Sequence, residues 1–315
     1  MTKSKILKKV IPILVALLML TPASCSSDNS AGGAGEKSVM AEYKKTVEDS
    51  DYILHALGGM DETDDYINSI ECLEAGYQKG CRLFEADVSF TSDKVLVLAH
   101  SGEDNIWSEN DWKLRLCQVY PFDNESEEEL KAKGYDIEKH LCTYEEFMSF
   151  RIQGWYKTAS FSDLLDYMEQ HKDIYVMVDG GHRSYEDTLE FYKAIKETAG
   201  DRTDVLDRLI AGGQTTDMVK AAREVYDFPL INLFFDSDEK REDALKTPED
   251  FAKYCRENGI SSFSAAKETF DGKNASLLED DSLISYIFTV NDEEEEAKLR
   301  KAGADVIGTD FLWDK

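Results

Sequence analysis

The chain has 315 residues and a formal net charge of −28 at pH 7, from 64 acidic and 36 basic side chains. A surface this acidic disfavours nucleic acid as a partner and is repelled by anionic lipid headgroups. The length fits one α/β domain, and only 5 prolines and no low-complexity linker interrupt it, so a second domain is not expected.

The first 24 residues have the pattern of a signal peptide, with four lysines before an apolar run that is too short to span a membrane comfortably. A small-residue stretch ends at Cys25, and a polar segment rich in Gly and Ser follows. This pattern resembles a bacterial lipoprotein signal, except that Pro22 stands where leucine is usual. It predicts lipidation of Cys25 and a flexible tether over residues 25–40. The alternative is an ordinary signal that is cleaved from a secreted protein.

The predicted location is the cell envelope, outside the cytoplasm, with the protein lipid-anchored to the membrane or secreted. Removal of the four lysines with the signal takes the formal charge from −28 to −32, so the surface itself does not favour membrane contact. An acyl anchor at Cys25 is then the only expected link to the membrane. One acyl chain holds weakly, so the anchor is expected to be diacylated.

From about residue 41, short apolar runs alternate with helix-like segments, and this repeated alternation predicts a parallel sheet. Caps and acidic first turns mark several helix starts, as in Thr247-Pro248 and Asp292-Glu293. Strands are predicted at residues 52–56, 81–90, 95–100, 174–179, 208–211, 230–235, 260–264, 285–290 and 304–308. Helices are predicted at residues 66–78, 162–171, 185–198, 215–226, 248–258 and 293–302.

The nine predicted strands indicate a closed barrel with one irregular step. Eight strands complete a (β/α)8 TIM barrel, and the link at residues 91–94 is too short for a crossover helix, so it suits a hairpin-like reversal. An open doubly wound sheet is the alternative, but no Gly-rich dinucleotide fingerprint lies near the first strand. The predicted fold class is therefore α/β, a single TIM barrel over residues 41–315.

An acidic stretch after His100 is interpreted as an insertion on a barrel loop, around residues 101–144. Its Trp107 and Trp112 could form a lid over the site or pack into a small core of their own, and the small core is favoured. Cys117 and Cys142 could pair in an oxidising compartment, although isolated buried thiols are favoured.

Glu85 and Asp87 are the strongest functional signal in the chain. They lie one residue apart in an apolar strand, so their side chains point to the same face. His55 and His100 each end another apolar run, which brings two imidazoles toward the same strand ends. Hard oxygen ligands with imidazoles nearby suit a divalent cation that assists phosphoryl chemistry.

Each of these residues also has a plainer interpretation. Glu85 and Asp87 could be exposed carboxylates on an edge strand, and His55 and His100 could be core histidines bonded to backbone. The apolar flanks of the strand favour burial of both acids. Since buried acids need partners or a metal, the metal interpretation is preferred.

The order His-x-x-Gly-Gly, a helix, Glu-x-Asp-Val-x-x-Thr-x-Asp and an apolar run ending in His extends from His55 to His100. This order resembles the glycerophosphodiester phosphodiesterases, and residues 286–291 and 302–310 are similar to the closing strands of that family. The resemblance implies a phosphodiesterase on a TIM barrel. It implies the metal ligands Glu85, Asp87 and Asp179 and the acid/base residues His55 and His100. An all-oxygen site of this kind suits Ca²⁺ or Mg²⁺.

The chain departs from the family pattern at several positions of the expected site. They are Ala56 for Arg, Gly181 for Lys, Phe288 for Trp, and residues 66–69 for Pro-Glu-Asn-Thr, with the Asn kept as Asn68. Two cationic groups that would hold phosphate are therefore missing from their usual places. These departures are expected to affect the turnover rate and the identity of the substrate more than the fold. His182 or Arg183 is close enough in sequence to substitute for them.

The reaction that the resemblance implies is hydrolysis of a small-molecule glycerophosphodiester or a related phosphodiester. His55 is expected as the base and His100 as the acid. The nucleophile is either a neighbouring hydroxyl of the substrate, which gives a cyclic phosphate, or water. Asn68, Gln214 and Phe288 are candidate substrate-binding residues, although Asn68 could instead lie on an exposed helix turn and the other two could be packing residues.

Two rivals come from other functional classes. A non-catalytic envelope lipoprotein that keeps the barrel as a binding module is favoured by the missing cationic groups. It is opposed by the joint retention of His55, Glu85, Asp87, His100 and Asp179. A solute-binding lipoprotein would need two domains and a hinge, and the sequence shows no second core.

Overall fold

The structure is a computed structural model that describes residues 32–100, 127–153, 155–236, 241–270 and 274–314, apart from residues 63, 65, 135, 137–139 and 182. The predicted signal peptide and Cys25 lie outside these residues. Residues 101–126 of the predicted insertion, which include Trp107, Trp112 and Cys117, also lie outside them. Within the described part of the chain, no helix has the length and apolar character needed to cross a membrane.

Strands and helices alternate along the chain and form a closed parallel barrel. In chain order the strands are β1 (Tyr52–Leu54), β2 (Leu83–Phe90), β3 (Leu96–Leu98), β4 (Arg151–Ile152), β5 (Tyr156–Lys157), β6 (Tyr175–Asp179), β7 (Leu209–Gly213), β8 (Leu230–Phe234), β9 (Ser262–Ala266), β10 (Ile284–Phe288) and β11 (Val306–Thr309). The eight parallel strands β1, β2 and β6 to β11 are neighbours in that cyclic order. Leu54 pairs with Phe84 and closes the ring, which confirms the predicted (β/α)8 TIM barrel.

Most helices begin directly after a side chain that caps the first turn. The helices are α1 (Gly32–Glu48), α2 (Ile70–Gln78), α3 (Glu127–Ala132), α4 (Tyr144–Ser149), α5 (Phe161–Gln170), α6 (Tyr185–Ala199), α7 (Thr203–Leu206), α8 (Thr216–Val225), α9 (Pro248–Glu257) and α10 (Glu293–Ala302). Thr143 and Ser160 form capping boxes with Glu146 and Asp163. Ser69, Ser184, Thr215, Thr247 and Asp292 accept a backbone N–H three residues on.

The hairpin-like step predicted at residues 91–94 is confirmed. Three antiparallel residue pairs join β2 to β3. Thr91 N donates to Val95 O across the turn (2.9 Å), and Lys94 adopts a φ of 66°. The strand predicted at residues 95–100 therefore extends β2 as a ribbon and does not enter the ring.

The helix predicted over residues 66–78 begins four residues late, at Ile70. Tyr66 and Asn68 have φ values of 52° and 51°, which is the left-handed region and incompatible with the first turn of a helix. Ser69 then caps the helix by accepting the N–H of Cys72 (3.1 Å). The predicted start of the helix was wrong because the apolar spacing continues into a loop. The backbone of this loop is non-helical and places Tyr66 in the cavity.

Residues 32–40 belong to helix α1, which closes the amino end of the barrel. They therefore do not form part of the tether predicted over residues 25–40. Val39 and Met40 pack with the fully buried Tyr43 against side chains from the strand starts. The Tyr43 hydroxyl lies 2.5 Å from the Tyr286 hydroxyl inside the barrel. The domain therefore begins before residue 41, because this apolar helix face is part of the core.

Side chains of the barrel strands alternate between an inner and an outer apolar layer. Leu83 of β2 belongs to the inner cluster at the amino end, whereas Phe84 belongs to the outer cluster between strands and helices. Since alternate residues of a strand share a face, Glu85 and Asp87 follow Leu83 into the barrel interior. The two acids therefore lie toward the carboxyl end, where barrels of this fold place their chemistry.

Candidate active site

Three carboxylates converge at the carboxyl end of the barrel. Glu85 and Asp87 lie on β2, and Asp179 ends β6, where it pairs in register with Asp87. Each residue offers one oxygen atom, and these three oxygens lie within 4.8 Å of one another. The two neighbouring strands thus bring together all three residues that the sequence singled out as metal ligands.

Backbone donors hold two of these carboxylates in place. Ala56 N donates to Glu85 Oε2 (2.8 Å), and Gly181 N donates to Asp179 Oδ1 (2.6 Å). The other oxygen of Glu85, Oε1, is buried and has no hydrogen-bond partner among the described residues. A buried carboxylate oxygen without a donor is expected to meet a ligand, a water or an ion.

Burial and mutual repulsion oppose full ionisation of this carboxylate cluster. The pKa of Glu85 lies well above its ordinary value, first because of burial and then because of the negative charges of Asp87 and Asp179. The pKa of Asp179 is raised by burial and by Asp87, against the hydrogen bond from Gly181. A cation between the oxygens would favour the charged carboxylates and reverse both shifts.

The donor set fits a hard divalent cation. All three donors are carboxylates, which suit Ca²⁺ or Mg²⁺ better than the softer metals that prefer nitrogen or sulfur. The unpartnered Oε1 of Glu85 and the 4.8 Å spread of the three oxygens are the observations that support this fit. Glu85, Asp87 and Asp179 are the residues that would hold the ion.

His55 follows β1 directly and is paired with a carboxylate that the sequence did not single out. Its Nδ1 lies 2.7 Å from Oδ1 of Asp310, which follows β11, the strand beside β1. Asn291 Nδ2 donates to Asp310 Oδ2 (2.6 Å), and Asp310 N donates to Asn291 Oδ1 (3.0 Å). With Nδ1 engaged by Asp310, Nε2 is the ring nitrogen available to the cavity.

The pKa of His55 is raised to about 9. Burial opposes the charged ring, but the hydrogen bond to Asp310 and the charges of Glu85, Asp310 and Asp87 outweigh it. Binding of a divalent cation to Glu85 and Asp87 would cancel part of this attraction. The pKa of His55 would then fall toward the pH range in which a histidine exchanges protons readily.

His100 follows β3 and lines the same cavity as His55. Two hydrogen bonds hold the end of β3 beside β2, because Ser89 Oγ donates to Ala99 O (2.7 Å) and Ala99 N donates to Asp87 O (3.1 Å). The hairpin therefore places His100 next to the part of β2 that carries the two carboxylates.

Tyr66 stands between the two imidazoles. Its ring centroid lies 4.9 Å from that of His55 and 4.8 Å from that of His100, and both contacts are edge to face. The side chain is 40% exposed and lines the cavity. Sequence reasoning recorded Tyr66 only as a departure from the family pattern, because a helix was expected there.

Asn68 lies behind the carboxylates and not on the cavity wall. It is fully buried, its Nδ2 donates to Asp87 Oδ2 (2.8 Å), and Asp87 N donates to its Oδ1 (3.0 Å). These two bonds orient Asp87, and a role of Asn68 in substrate binding stays a prediction. The exposed helix turn that was the alternative for Asn68 is wrong, because the side chain is fully buried in a loop.

The carboxylates and imidazoles line a cavity of about 180 Å³. Gln214 and Phe288, which the sequence singled out, both line it. Phe234 and Asn232 of β8 and Ser264 of β9 also line it, and sequence reasoning missed them. Their places near the carboxyl ends of barrel strands are the signal that could have found them.

Among the described residues that line the cavity there is no lysine or arginine. Ala56 and Gly181 occupy the places at which the resemblance led us to expect Arg and Lys. Arg183 is buried with its guanidinium 4.7 Å from the ring centroid of Phe191, and it does not line the cavity. Its charge favours the ionised form of Asp179 from behind the site. His182, the other candidate substitute, lies outside the described residues.

A closed parallel barrel with acids and imidazoles at the carboxyl ends of its strands defines a TIM-barrel enzyme. Residues 62–313 match the model of the Glycerophosphoryl diester phosphodiesterase family. The chain belongs to this family, and its enzyme class is phosphoric diester hydrolase. No curated protein matches the sequence.

Solved structures with the same fold are distant in sequence. A glycerophosphodiester phosphodiesterase from Parabacteroides distasonis ATCC 8503 is 18% identical, with a TM-score of 0.57 over 82% of this chain and 92% of its own. A phosphodiesterase from Oleispira antarctica, solved in complex with the product sn-glycerol-3-phosphate, is 15% identical, with a TM-score of 0.58 over 86% of this chain and 96% of its own. A glycerophosphodiester phosphodiesterase from Thermotoga maritima is 16% identical, with a TM-score of 0.54 over 83% and 95%. At these identities the likeness shows the fold alone.

Proposed function

We propose that the protein is a divalent-metal-dependent phosphodiesterase that hydrolyses a glycerophosphodiester or a related phosphodiester, with His55 and His100 as its proton-transfer residues. The proposal is carried by one observation, the convergence of three carboxylate oxygens within 4.8 Å of one another beside two imidazoles in one cavity. The family supports the reaction class, and the donor chemistry supports Ca²⁺ or Mg²⁺.

In the proposed reaction, different residues of the chain have different roles. Bound to Glu85, Asp87 and Asp179, a divalent cation would neutralise charge on the phosphate. His55, oriented through Nδ1 by Asp310, takes the proton of the attacking hydroxyl at Nε2. His100 donates a proton to the leaving alcohol.

Tyr66 and Asn68 act indirectly in this scheme. Tyr66 contacts both imidazole rings and keeps them apart. Asn68 holds Asp87 with two hydrogen bonds, so the carboxylate would be held in one orientation for a cation.

The decisive experiment measures turnover of a panel of phosphodiesters by the full-length protein, with Ca²⁺, with Mg²⁺ and with a chelator. We expect hydrolysis that the chelator abolishes. Glu85→Gln removes one ligand charge and is expected to lower kcat/KM by roughly 10²-fold or more. His100→Ala is expected to lower kcat by roughly 10² to 10⁴-fold.

A matched control is Glu190→Gln, since Glu190 forms an exposed ion pair with Lys94 on the outside of the barrel. This variant is expected to retain wild-type turnover. If wild-type protein hydrolyses none of the diesters with either ion, the rival interpretation of a non-catalytic envelope lipoprotein takes the place of the enzyme.

We also propose that the protein is held at the cell envelope by a lipid on Cys25. The support is the order of basic, apolar and small residues before Cys25 in the sequence. In a bacterial host, wild-type protein is expected in the membrane fraction with incorporated fatty acid, and Cys25→Ser is expected to lose both. Incorporation that persists in Cys25→Ser would rule out this attachment site.

A further inference from the structure

Tyr66 lies at the mouth of the cavity, where its ring covers the space between the two imidazoles. The side chain lines the cavity and is also 40% exposed, so part of the ring faces solvent. Its centroid lies 4.9 Å from that of His55 and 4.8 Å from that of His100. A molecule that enters from solvent and has to reach both imidazoles therefore meets this ring.

The space behind the ring is small for a phosphodiester. The cavity encloses about 180 Å³, whereas pockets for small molecules usually enclose about 300 to 1,000 Å³. Proton transfer needs each imidazole nitrogen within about 3 Å of the oxygen that it serves, so the diester has to lie against both His55 and His100. Since the Tyr66 ring already contacts both imidazoles, we expect the substrate to displace it.

The backbone beside Tyr66 is fixed, so this displacement is a rotation of the side chain. Asp64 and Ile67 are buried, and Asn68 N donates to Ala56 O (2.8 Å). Tyr66 has a φ of 52°, a left-handed conformation that a bulky residue keeps only where its surroundings enforce it. The buried neighbours supply this constraint, and the partly exposed ring is the part that has room to turn.

Both imidazoles are held by contacts that do not involve Tyr66. His55 Nδ1 lies 2.7 Å from Asp310 Oδ1. The β2–β3 hairpin holds Ala99, the residue before His100, through its N–H and its carbonyl oxygen. Removal of the Tyr66 ring is therefore expected to open the site and to leave both imidazoles in place.

A hydrogen bond from outside the barrel fixes the segment that carries the ring. The hydroxyl of Tyr156 on β5 donates to Asp64 Oδ2. The same oxygen accepts the N–H groups of Met60 (3.0 Å) and Asp61 (3.1 Å), so it organises the backbone ahead of Tyr66. Because β4 and β5 form a separate two-stranded sheet, this contact links the cavity mouth to a hairpin that is not part of the barrel.

We propose that the Tyr66 side chain is a gate over the two imidazoles, and that Tyr156 on the β4–β5 hairpin latches this gate through Asp64. While the latch is made, the ring covers the cavity. When the latch breaks, the ring turns outward and a phosphodiester reaches His55 and His100. Access to the cavity is then controlled by a strand pair outside the barrel, which is a property beyond the proposed hydrolysis.

Chemical labelling of His100 tests the gate independently of turnover. The full-length protein is treated with diethyl pyrocarbonate near neutral pH, and mass spectrometry follows the labelling rate of His100 relative to that of His171, which does not line the cavity. Loss of the two ring contacts in Tyr66→Ala is expected to raise this relative rate about tenfold. Loss of one hydrogen bond in Tyr156→Phe is expected to raise it about threefold.

Turnover gives a second readout, because a gate that competes with substrate lowers kcat/KM. With Mg²⁺ and a glycerophosphodiester, kcat/KM is expected to rise about tenfold in Tyr66→Ala and about threefold in Tyr156→Phe. The double variant is expected to match Tyr66→Ala, since the latch acts through the ring.

Each substitution has a matched control that should behave as wild type in both assays. Met60→Ala is the control for Tyr66→Ala, because Met60 is an exposed side chain near Tyr66 that does not line the cavity. Tyr185→Phe is the control for Tyr156→Phe, because the Tyr185 hydroxyl also bonds to a carboxylate, that of Glu224, but on the outer surface.

The gate and the latch have separate contrary results. Labelling of His100 at the wild-type rate in Tyr66→Ala, or a fall in kcat/KM of that variant, overturns the gate and makes Tyr66 a positioning residue. Wild-type rates in Tyr156→Phe, or effects of the two substitutions that simply add, overturn the latch. If the wild-type protein hydrolyses no diester, the proposed function fails, and the labelling rates alone decide on the gate.

Discussion

Oδ1 of Asp310 lies 2.7 Å from His55 Nδ1 and determines which ring nitrogen faces the cavity. Asn291 and the indole N–H of Trp313 hold Asp310 in turn, the latter by donating to its carbonyl oxygen (2.8 Å). A carboxylate fixed in this way selects one tautomer of the imidazole and stabilises its protonated form. The base of the proposed reaction is therefore a pair of residues.

Asp310→Asn tests this pairing. The amide keeps the shape but removes the charge, so the His55 pKa is expected to fall below about 9 and the ring orientation to become less fixed. We expect kcat to fall by roughly 10²-fold while KM changes little, because proton transfer is affected and ion binding is not. The measurements are steady-state kinetics and an NMR titration of the His55 ring.

Asp314→Asn is the control for that variant, because Asp314 lies four residues on in an exposed ion pair with Lys79. It is expected to leave kcat and the His55 titration unchanged. A purely structural role for Asp310 would lower stability and activity together and leave the His55 titration in place.

Some of these residues follow from the sequence by simple geometry. Glu85 and Asp87 share a face because a strand repeats every two residues, and Asp179 joins them because parallel strands end at one edge. Asp310 could have been found as well. In a closed barrel the last strand pairs with the first, here Leu54 with Thr309, so the next residues, His55 and Asp310, are neighbours.

Other residues of the site could not be predicted from the sequence, because their positions depend on backbone conformation. The loop between β1 and α2 is held by Asp64, which accepts N–H groups from Met60 and Asp61 at 3.0 Å and 3.1 Å and is bonded by Tyr156 from β5. This tertiary contact holds the segment that carries Tyr66 in a non-helical path. The apolar spacing alone favours a helix there, so both the helix start and the role of Tyr66 were missed.

Among the elements, α1 is the one whose role the sequence concealed. The polar, Gly- and Ser-rich residues around its start were interpreted as a tether, yet Tyr43 of α1 reaches the barrel interior and bonds to Tyr286, which lines the cavity. The amino end of the barrel is thus filled by a helix that precedes the first strand. Loss of residues up to 40 would remove Val39 and Met40 from this contact.

Substitutions at Tyr43 measure what α1 contributes. Tyr43→Ala is expected to lower the free energy of unfolding by about 3 to 5 kcal/mol, because a large buried ring is removed. Tyr43→Phe keeps the ring but leaves the buried Tyr286 hydroxyl without this partner, so we expect a loss of about 1 to 2 kcal/mol. Urea unfolding of the full-length variants gives both values.

The matched control for Tyr43→Phe is Tyr185→Phe, since the Tyr185 hydroxyl bonds to Glu224 on the exposed surface. No measurable change in the free energy of unfolding is expected for Tyr185→Phe. Equal effects of the two Phe variants would mean that the Tyr43–Tyr286 bond adds no stability beyond packing.

In the molecule as a whole, apolar packing and the candidate active site occupy opposite ends of the barrel interior. The amino end is apolar and closed by α1, whereas the carboxyl end places Glu85, Asp87 and Asp179 side by side. This barrel could be predicted from alternating strands and helices, since that pattern has few solutions. How strongly the acids at the carboxyl end affect stability could not be predicted, because the effect depends on how deeply they are buried.

The buried acids make stability depend on pH and on the ion. Glu85 and Asp179 have raised pKa values in the folded protein, so they bind protons more tightly there than in the unfolded chain. Their contribution is present below their unfolded pKa values and is lost as pH rises through the folded ones. The contribution of His55 has the same sign and is lost as pH rises through about 9. Ion-free protein is therefore expected to lose stability as pH rises above the ordinary carboxyl pKa values of about 4.

A divalent cation is expected to reverse this loss at neutral pH. At an ion concentration of about 100 times Kd, the free energy of unfolding should rise by about 2.7 kcal/mol. The gain should shrink toward pH 5, because protons compete with the ion for Glu85 and Asp179. Thermal unfolding with Ca²⁺, with Mg²⁺ and with chelator measures this gain. Glu85→Gln should raise the stability of the ion-free protein at neutral pH and remove most of the gain, whereas Glu190→Gln should keep it. A gain that is independent of pH, or that survives in Glu85→Gln, would place the ion elsewhere.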